Sequence, residues 1–328
     1  MLKFGDVPPI SWEEYHIPKK SKGVRIIEEP NAKLKKVQKD ILQYLYDGVK
    51  AGKLEVSRLA HGFIKGRGCL TAIPKHSLQT KVLACADIHD FFLSFPTEVS
   101  REKMEFAFGK YKTDFIMECC TWKGNFPKKH FPQGGPASPY LTNIGMVDVD
   151  RMMASWCKKN GLFMTRYADD MIFSVIPGME ETDSIQEMMH SEEPFSRLFS
   201  SIGLILKSHL GLELSKPKCH VIWRYSTCKT QVLGITIRQD NLGYNAPKRK
   251  RRATRAQLHN LHDKVWSQYG HFQYDDWKEW QSVNGSINYC NRVRSYGVDP
   301  EVTGFDPFIQ MKEYQQLERW ANESYPLR

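Results

Sequence analysis

The chain has 328 residues, which is long enough for two or so domains with substantial cores. Hydrophobic residues make up 41% and aromatic residues 12% of the sequence, and this composition excludes a disordered or fibrous protein. The 47 Lys and Arg outnumber the 37 Asp and Glu, so the formal net charge is +10 and favours a polyanionic partner, nucleic acid before a membrane. No apolar run reaches the roughly 18 residues that cross a bilayer. The first residues are too polar for a signal peptide, so we expect a cytoplasmic protein without a membrane partner.

Common metal and nucleotide motifs are missing from the sequence. The eight cysteines form no C-x-x-C pair, which excludes the usual zinc knuckle and thioredoxin motif and predicts buried free thiols. The sequence also lacks H-E-x-x-H, G-x-S-x-G, a phosphate-binding P-loop and G-x-G-x-x-G. Any chemistry must therefore depend on other residues.

The first elements that the pattern predicts surround a buried strand. Residues 81–88 form a nearly continuous apolar run, typical of a strand that is buried on both faces. A helical segment follows and ends at Gly109. A turn-rich insert, residues 123–135, then leads to a helix that we expect to begin at Pro139 and to end at Gly161.

The next elements predict a mixed fold. Residues 162–175 form two apolar runs on either side of an acidic tip, which predicts a β-hairpin. Residues 220–223 and 231–237 predict another strand pair, and the chain from Pro247 onward is basic and helical in pattern. Antiparallel strands mixed with helices indicate the α+β class rather than a doubly wound sheet.

Three carboxylates are the candidates for chemistry. Asp87 ends the buried apolar run, and Asp169 and Asp170 lie at the hairpin tip. A carboxylate in such a place is costly unless it is paired or binds a cation. Three oxygen ligands without a histidine or cysteine cage favour Mg²⁺, and a pair of Mg²⁺ ions is a common device for reactions at phosphorus. On these grounds alone, an ordinary acidic turn at the tip stays open.

Several motifs, in order, resemble those of reverse transcriptases. Tyr167-Ala168-Asp169-Asp170 resembles the family's Y-x-D-D hairpin, and the segment that begins CAD at residue 85 resembles its first catalytic motif. Further blocks resemble the fingers motifs, the P-Q-G-x-P-x-S-P…N motif, the G-L-x-x-N-x-x-K block and the primer-grip hairpin; they lie at residues 17–30, 60–67, 132–143, 211–218 and 232–234. The matches keep the family's order from about residue 15 to 240.

The resemblance implies an RNA-directed DNA polymerase with a right-hand polymerase fold. Residues 1–80 would form the fingers. Residues 81–240 would form a palm of antiparallel sheet and helices, with a fingers insertion around 105–135. Residues 241–328 would form a small helical thumb.

The resemblance also implies roles for single residues. The catalytic and metal-binding residues would be Asp87, Asp169 and Asp170, which would hold two Mg²⁺ ions. The nucleotide-binding residues would be Lys19, Lys20, Arg25, Phe92, Gln133, Gly134 and Lys218. The alternative that Lys19, Lys20 and Lys218 are ordinary surface lysines stays open. Alternation along a continued strand would place Phe91, not Phe92, on the face of Asp87, but the resemblance selects Phe92 as the ring that excludes a 2′-hydroxyl.

A basic stretch near the start of the expected thumb is the candidate for binding nucleic acid. It precedes apolar residues at helical spacing, and phosphate would compensate its charge at a helix N-terminus. A solvated loop stays open as the alternative. The residues are Lys248, Arg249, Lys250, Arg251, Arg252 and Arg255.

The compact layout is similar to that of bacterial retron reverse transcriptases, which implies a cytoplasmic defence system in a bacterium. Its partners would be deoxynucleotides, a cognate non-coding template RNA and the DNA product, with an associated effector protein left open. Two departures are Val232-Leu233-Gly234, where retrons usually have Val-Thr-Gly, and a distorted Asn-Ala-x-x-His at residues 71–76. Four alternatives stay open: a related, non-retron bacterial reverse transcriptase of phage defence, a short group II intron relative, a protein-primed or template-independent polymerase, and a non-catalytic RNA-binding protein on a polymerase scaffold.

Overall fold

The computed structural model describes most of the chain and divides it into two compact units, Met1–Ile222 and Trp223–Arg328. The residues that it describes are 2, 4–5, 7–18, 24–76, 80, 82–223, 231–237, 244–245, 248–267, 274–295 and 311–324.

Antiparallel strand pairs are combined with helices, which is the α+β class. The strands are β1 Trp12–Pro18, β2 Val24–Pro30, β3 Val82–Asp87, β4 Leu162–Tyr167, β5 Asp170–Val175, β6 His220–Trp223, β7 Gln231–Val232, β8 Ile235–Ile237 and β9 Tyr244–Asn245. The helices are α1 Ala32–Lys50, α2 Cys69–Ala72, α3 Phe91–Ser94, α4 Thr97–Phe108, α5 Lys110–Cys120, α6 Ser138–Gly145, α7 Val147–Lys159, α8 Asp183–His190, α9 Ser196–Leu210, α10 Lys248–Ser267, α11 Tyr274–Ser295 and α12 Lys312–Ser324.

The core of the first unit is a four-stranded sheet with the order β4-β5-β3-β6. Strand β3 is buried along nearly its whole length, and β4 and β5 form the hairpin that the apolar runs predict. Both predictions are confirmed. Helix α7 packs on β4 and on α9, and α6 packs against α3 and α4. The sheet therefore carries the two acidic segments on neighbouring central strands.

The helix predicted from Pro139 to Gly161 is in fact two helices, α6 and α7. They meet at Met146, whose ψ of −9° departs from helical geometry. Gly145 lies so close to the ring of Phe95 that a Cβ there would be 2.6 Å from it. The periodicity of apolar residues continues across this junction, so the pattern alone does not reveal the break.

The first two strands form an antiparallel hairpin that the apolar pattern does not predict. Strand β1 pairs with β2 from Trp12 opposite Pro30 to Pro18 opposite Val24. Most residues of β1 are exposed and polar, so the alternation that marks a half-buried strand is absent.

The predicted pairing of residues 220–223 with 231–237 is wrong. Strand β6 joins the four-stranded sheet beside β3, whereas β7 pairs with β8, and β8 with β9, in a separate three-stranded sheet. Leu233 and Gly234 both have positive φ, +47° and +74°, as two-residue hairpin loops require. That tight turn lets β7 and β8 pair with each other.

The second unit contains helices α10, α11 and α12, in the region that the sequence predicts to be helical. Helix α10 packs against α11 and α12, and Leu258, Leu261 and Val265 are fully buried, as their helical spacing predicts. Among the described helices, none combines the length and the apolar character needed to cross a bilayer.

His76 joins the short helical turn after α2 to the back of the sheet. Its Nδ1 lies 2.8 Å from the Ser174 hydroxyl on β5, and its Nε2 lies 2.8 Å from the Thr165 hydroxyl on β4. The ring therefore contacts both strands of the hairpin. The ring is almost completely buried. Burial, with a smaller effect of the nearby His61, lowers the pKa of His76 to about 3.

We predict that His76 makes stability depend on pH. Because the folded pKa lies below the unfolded value of 6.5, the unfolded chain binds a proton that the folded chain refuses, and stability falls as pH drops below about 6.5. At about pH 5 the loss from this residue is about 2 kcal/mol. Urea unfolding at about pH 7.5 and pH 5 measures it, and His76→Gln should reduce the difference between the two pH values by that amount. An equal difference in both proteins would contradict the prediction.

Candidate active site

Two of the three predicted carboxylates are direct neighbours across the central sheet. In the antiparallel register of β3 and β5, Asp87 lies opposite Asp170. Asp87 ends its strand and is 6% exposed, while Asp170 begins its strand and is half-buried. Directly opposite residues have Cβ atoms roughly 5 Å apart. The sheet therefore brings together two acidic side chains that lie in separate motifs.

The third carboxylate lies on the turn that joins β4 to β5. Tyr167 lies opposite Asp170, so only Ala168 and Asp169 form the loop. Ala168 has a φ of +55°, in the left-handed region that a residue with a Cβ rarely adopts. The amide of Ile88 donates to the Asp169 carbonyl at 3.1 Å, which fastens the turn to the end of β3.

The electrostatics show that the carboxylates repel one another. Burial, with additional repulsion from Asp169 and Asp87, raises the pKa of Asp170 to about 6. Burial also raises the pKa of Asp169, with Asp87 adding to the effect and Lys218 and Arg25 opposing it. The site therefore favours either a proton or a cation.

Lys218 supplies one positive charge at the site. Its Nζ lies 2.7 and 2.9 Å from the two carboxylate oxygens of Asp87, although 131 residues separate them in the chain. Partial burial lowers the pKa of Lys218, but the hydrogen bond to Asp87 and the three carboxylates outweigh this effect and raise it. The structure therefore brings Lys218 into the carboxylate group.

The donor chemistry of this group fits a divalent cation. Carboxylate oxygens are the ligands that Mg²⁺ prefers, and a cation would offset the repulsion that raises the pKa of Asp170. In the part of the chain that the structure describes, no three His, Cys, Asp or Glu side chains are gathered as a metal site. The ammonium of Lys218 contacts one of these carboxylates, that of Asp87.

The segment after β3 differs from the expected continued strand. The strand ends at Asp87, Asp90 has a φ of +41°, and Phe91 and Phe92 begin the short helix α3. The expectation from strand alternation is therefore wrong. Phe91 is 2% exposed and packs edge-on against Phe92 and Phe95, whereas Phe92 is 9% exposed.

The predicted nucleotide-binding loop lies against the N-terminal hairpin. The Glu28 amide on β2 donates to the Gln133 carbonyl at 2.9 Å. Gly134 has a φ of +146°, and a Cβ there would lie 2.3 Å from the Glu28 carbonyl oxygen, so this close approach requires glycine. Buried beneath the loop, His130 Nε2 lies 2.6 Å from a Glu28 carboxylate oxygen. These contacts join the insert of residues 123–135 to β2.

The cationic residues are distributed unevenly. Arg25 is exposed on β2, while Lys19 and Lys20 lie outside the described residues. The basic stretch opens α10, where Arg249, Lys250, Arg252 and Arg255 are exposed, Arg251 is half-buried, and the side chain of Lys248 is not among those described. Lys250 Nζ lies 3.1 Å from the Ser286 hydroxyl. This stretch belongs to the second unit.

Comparison with known proteins identifies the family. Residues 17–237, about two-thirds of the chain, match the family described as reverse transcriptase (RNA-dependent DNA polymerase). The chain belongs to the reverse transcriptase family. Members of this family generally use divalent metal ions.

The chain is also similar to curated retron proteins. It is 28% identical over 261 residues to the Retron Mx65 reverse transcriptase of Myxococcus xanthus, covering 75% of this chain and 55% of the relative. It is 27% identical over 175 residues to the Retron Ec83 reverse transcriptase of Escherichia coli, covering 51% of this chain and 54% of the relative. The chain thus spans about half the length of these relatives.

Among solved structures, a telomerase from Candida albicans in complex with a fragment of telomeric RNA has a TM-score of 0.49 and 10% identity. The similarity covers 85% of this chain and 54% of that one.

The structure adds residues that the motifs did not select. Arg166 and Asp150 form a completely buried ion pair beneath the acidic turn, and a ring nitrogen of His130 lies within hydrogen-bond distance of the buried Glu28 carboxylate beneath the Gln133 loop. One signal was available in the sequence, because a charged residue inside the apolar strand before the Y-x-D-D hairpin needs a buried partner. The identity of that partner depends on the packing of α7, which periodicity does not specify.

Proposed function

We propose that the chain is an RNA-directed DNA polymerase of a bacterial retron. The observation that carries the proposal is the placement of Asp87 directly opposite Asp170, with Asp169 on the adjoining turn, in a chain of the reverse transcriptase family. Carboxylates that repel one another in the absence of a cation are suited to holding divalent metal.

The residues of the site would have distinct roles. Asp87, Asp169 and Asp170 would hold two Mg²⁺ ions, which when bound activate the attacking oxygen and stabilise the leaving oxygen at phosphorus. Lys218, which already contacts Asp87, would place a proton and a positive charge beside the departing pyrophosphate. Arg25 would attract the triphosphate.

The loop at Gln133 and Gly134 would bind the incoming nucleotide. Gly134 allows the loop to lie directly on β2, and this contact would fix the backbone of the loop in the position from which it binds the nucleotide. Lys19 and Lys20, which lie outside the described residues, would add to the triphosphate site.

The retron setting rests on the curated relatives, whose names are those of retron reverse transcriptases. The substrates would be deoxynucleotides and a cognate non-coding RNA, and the product would be DNA, with an effector protein as a further partner in the bacterial cytoplasm. Fingers at 1–80, a palm at 81–240 with a fingers insertion around 105–135 and a thumb at 241–328 remain our proposed division. The retron names favour this reading over an intron relative, and the three retained carboxylates favour it over a non-catalytic scaffold.

We predict that Asp169→Asn abolishes DNA synthesis without unfolding the protein. Loss of one metal ligand should remove several kcal/mol of charge stabilisation, or about 10³-fold in rate. Folding should survive because the substitution removes a repelling charge. Extension of a DNA primer on an RNA template in Mg²⁺ measures the rate, and Asp40→Asn, an exposed acid on α1, is the matched control. Extension by Asp169→Asn at the wild-type rate would refute the proposed function.

We predict that Phe92→Val weakens discrimination against ribonucleotides. A smaller side chain relieves a clash with the 2′-hydroxyl, so only the wrong substrate gains. The measurement is the ratio of kcat/KM for a ribonucleotide to that for the matching deoxynucleotide. Phe91→Val is the matched control. If the ratio changes in Phe91→Val and not in Phe92→Val, the prediction is wrong and the role belongs to Phe91.

We predict that the start of α10 binds the template–primer duplex through phosphates. Replacing the exposed Arg249 and Arg252 with Gln should flatten the log–log dependence of duplex affinity on salt by about 0.7–0.9 per phosphate contact. The same charge change at the exposed Lys158 and Lys159, at the end of α7, serves as the control. A salt slope equal to that of the wild type would mean that other residues bind the duplex.

A further inference from the structure

Arg166 is the largest side chain that is fully buried in the described part of the chain. It lies on β4, one residue before the Tyr167-Ala168-Asp169-Asp170 hairpin. A buried guanidinium is costly unless all its donors have partners. Its partners therefore indicate why the fold keeps an arginine at this position.

The guanidinium contacts a helix and the acidic turn at the same time. Its Nε and one terminal nitrogen donate to the two carboxylate oxygens of Asp150 on α7, at 2.7 and 2.8 Å. The other terminal nitrogen donates to the carbonyl of Ala168 at 2.9 Å. A planar fork can serve both partners because its donors point in fixed, different directions.

The residue that receives this bond is the strained one. Ala168 has a φ of +55°, a conformation that persists only where the surrounding structure holds it. Ala168 also precedes Asp169, so the direction of its carbonyl sets the direction of the next peptide. A hydrogen bond to that carbonyl acts directly on the position of Asp169.

Backbone contacts with residues 59–62 lie on the other side of the turn. The Arg166 amide donates to the Leu59 carbonyl at 2.8 Å, and the Arg166 carbonyl accepts from the His61 amide at 2.7 Å. Gly62 follows, and a Cβ there would lie 2.6 Å from the Ala168 nitrogen. The turn is thus enclosed between the guanidinium and the backbone of residues 59–62.

We propose that Arg166, held by Asp150, is a positioning residue that keeps the Ala168–Asp169 turn in its left-handed conformation and so fixes where Asp169 presents its carboxylate. Arg166 touches neither substrate nor metal in this role; it acts through the backbone of Ala168. The inference rests on the proposed function for its effect on rate. The effect on the turn itself does not depend on that function.

The test removes the pair as a unit. Removing one partner would leave a buried charge and risk unfolding, whereas replacing both with apolar residues of similar volume is often tolerated. We expect Arg166→Met combined with Asp150→Leu to fold but to lose the bond to the Ala168 carbonyl. Arg151→Met combined with Glu55→Leu is the matched control, because it removes an exposed Arg–Glu pair whose arginine lies on the same helix as Asp150.

Two readouts separate positioning from mere structural support. Single-turnover extension should slow by about 10²-fold, as a displacement of roughly 1 Å at a reacting centre can cause, while the KM for deoxynucleotide changes less than about threefold. Hydrogen exchange should become at least about tenfold faster at the Ile88 amide, which bonds the Asp169 carbonyl, and stay unchanged in the middle of β3. A folded double variant with wild-type rate and wild-type exchange would overturn the proposal.

Arg166→Lys tests the positioning role if the double variant does not fold. Lysine keeps the positive charge beside Asp150 but not the planar fork, so it should retain folding and lose rate. A wild-type rate and exchange pattern in Arg166→Lys would overturn the proposal. If the wild-type chain makes no DNA, the proposed function fails, and the exchange at Ile88 alone then supports or overturns the role of Arg166.

Discussion

The pairing of β3 with β5 is the constraint on which the rest of the site depends. It places the Asp87 carboxylate opposite that of Asp170, and the tight β4–β5 turn adds Asp169 beside them. Burying like charges together is unfavourable, and the raised pKa of Asp170 records that cost. A fold whose function was only structural would gain stability by replacing these residues, which supports our proposal that the site binds a cation.

The surrounding structure holds this unfavourable arrangement in place. Lys218 offsets charge at Asp87, and the buried Arg166–Asp150 pair supports the turn from below. At the loop that we propose binds the nucleotide, Glu28 and His130 hold Gln133 against β2. Each contact joins elements that are distant in sequence, so the geometry of the site belongs to the whole first unit. The backbone preference of Ala168 alone disfavours this geometry, since a residue with a Cβ rarely adopts the left-handed conformation that Ala168 has here.

The sequence predicts the parts that depend on local pattern. The apolar runs specify β3 and the β4–β5 hairpin, and the spacing of Leu258, Leu261 and Val265 specifies α10. The polar β1–β2 hairpin carries no such pattern, and the break at Met146 interrupts no periodicity. The contact of Lys218 with Asp87 spans 131 residues, and that of Arg166 with Asp150 depends on how α7 crosses β4. Such contacts follow from packing, which a period of two or 3.6 residues does not encode.

We propose that the three carboxylates form a site whose repulsion a divalent cation relieves. The direct test is thermal unfolding at about pH 7.5 with Mg²⁺ varied from about 0.1 to 10 mM, compared between the wild type and Asp170→Asn. Without Mg²⁺, the variant should unfold at a higher temperature than the wild type because one repelling charge is gone. With Mg²⁺, the wild-type Tm should rise with the logarithm of concentration, while the variant's rises less or not at all. A wild-type Tm that is indifferent to Mg²⁺, or a variant that gains as much from Mg²⁺ as the wild type, would contradict the claim.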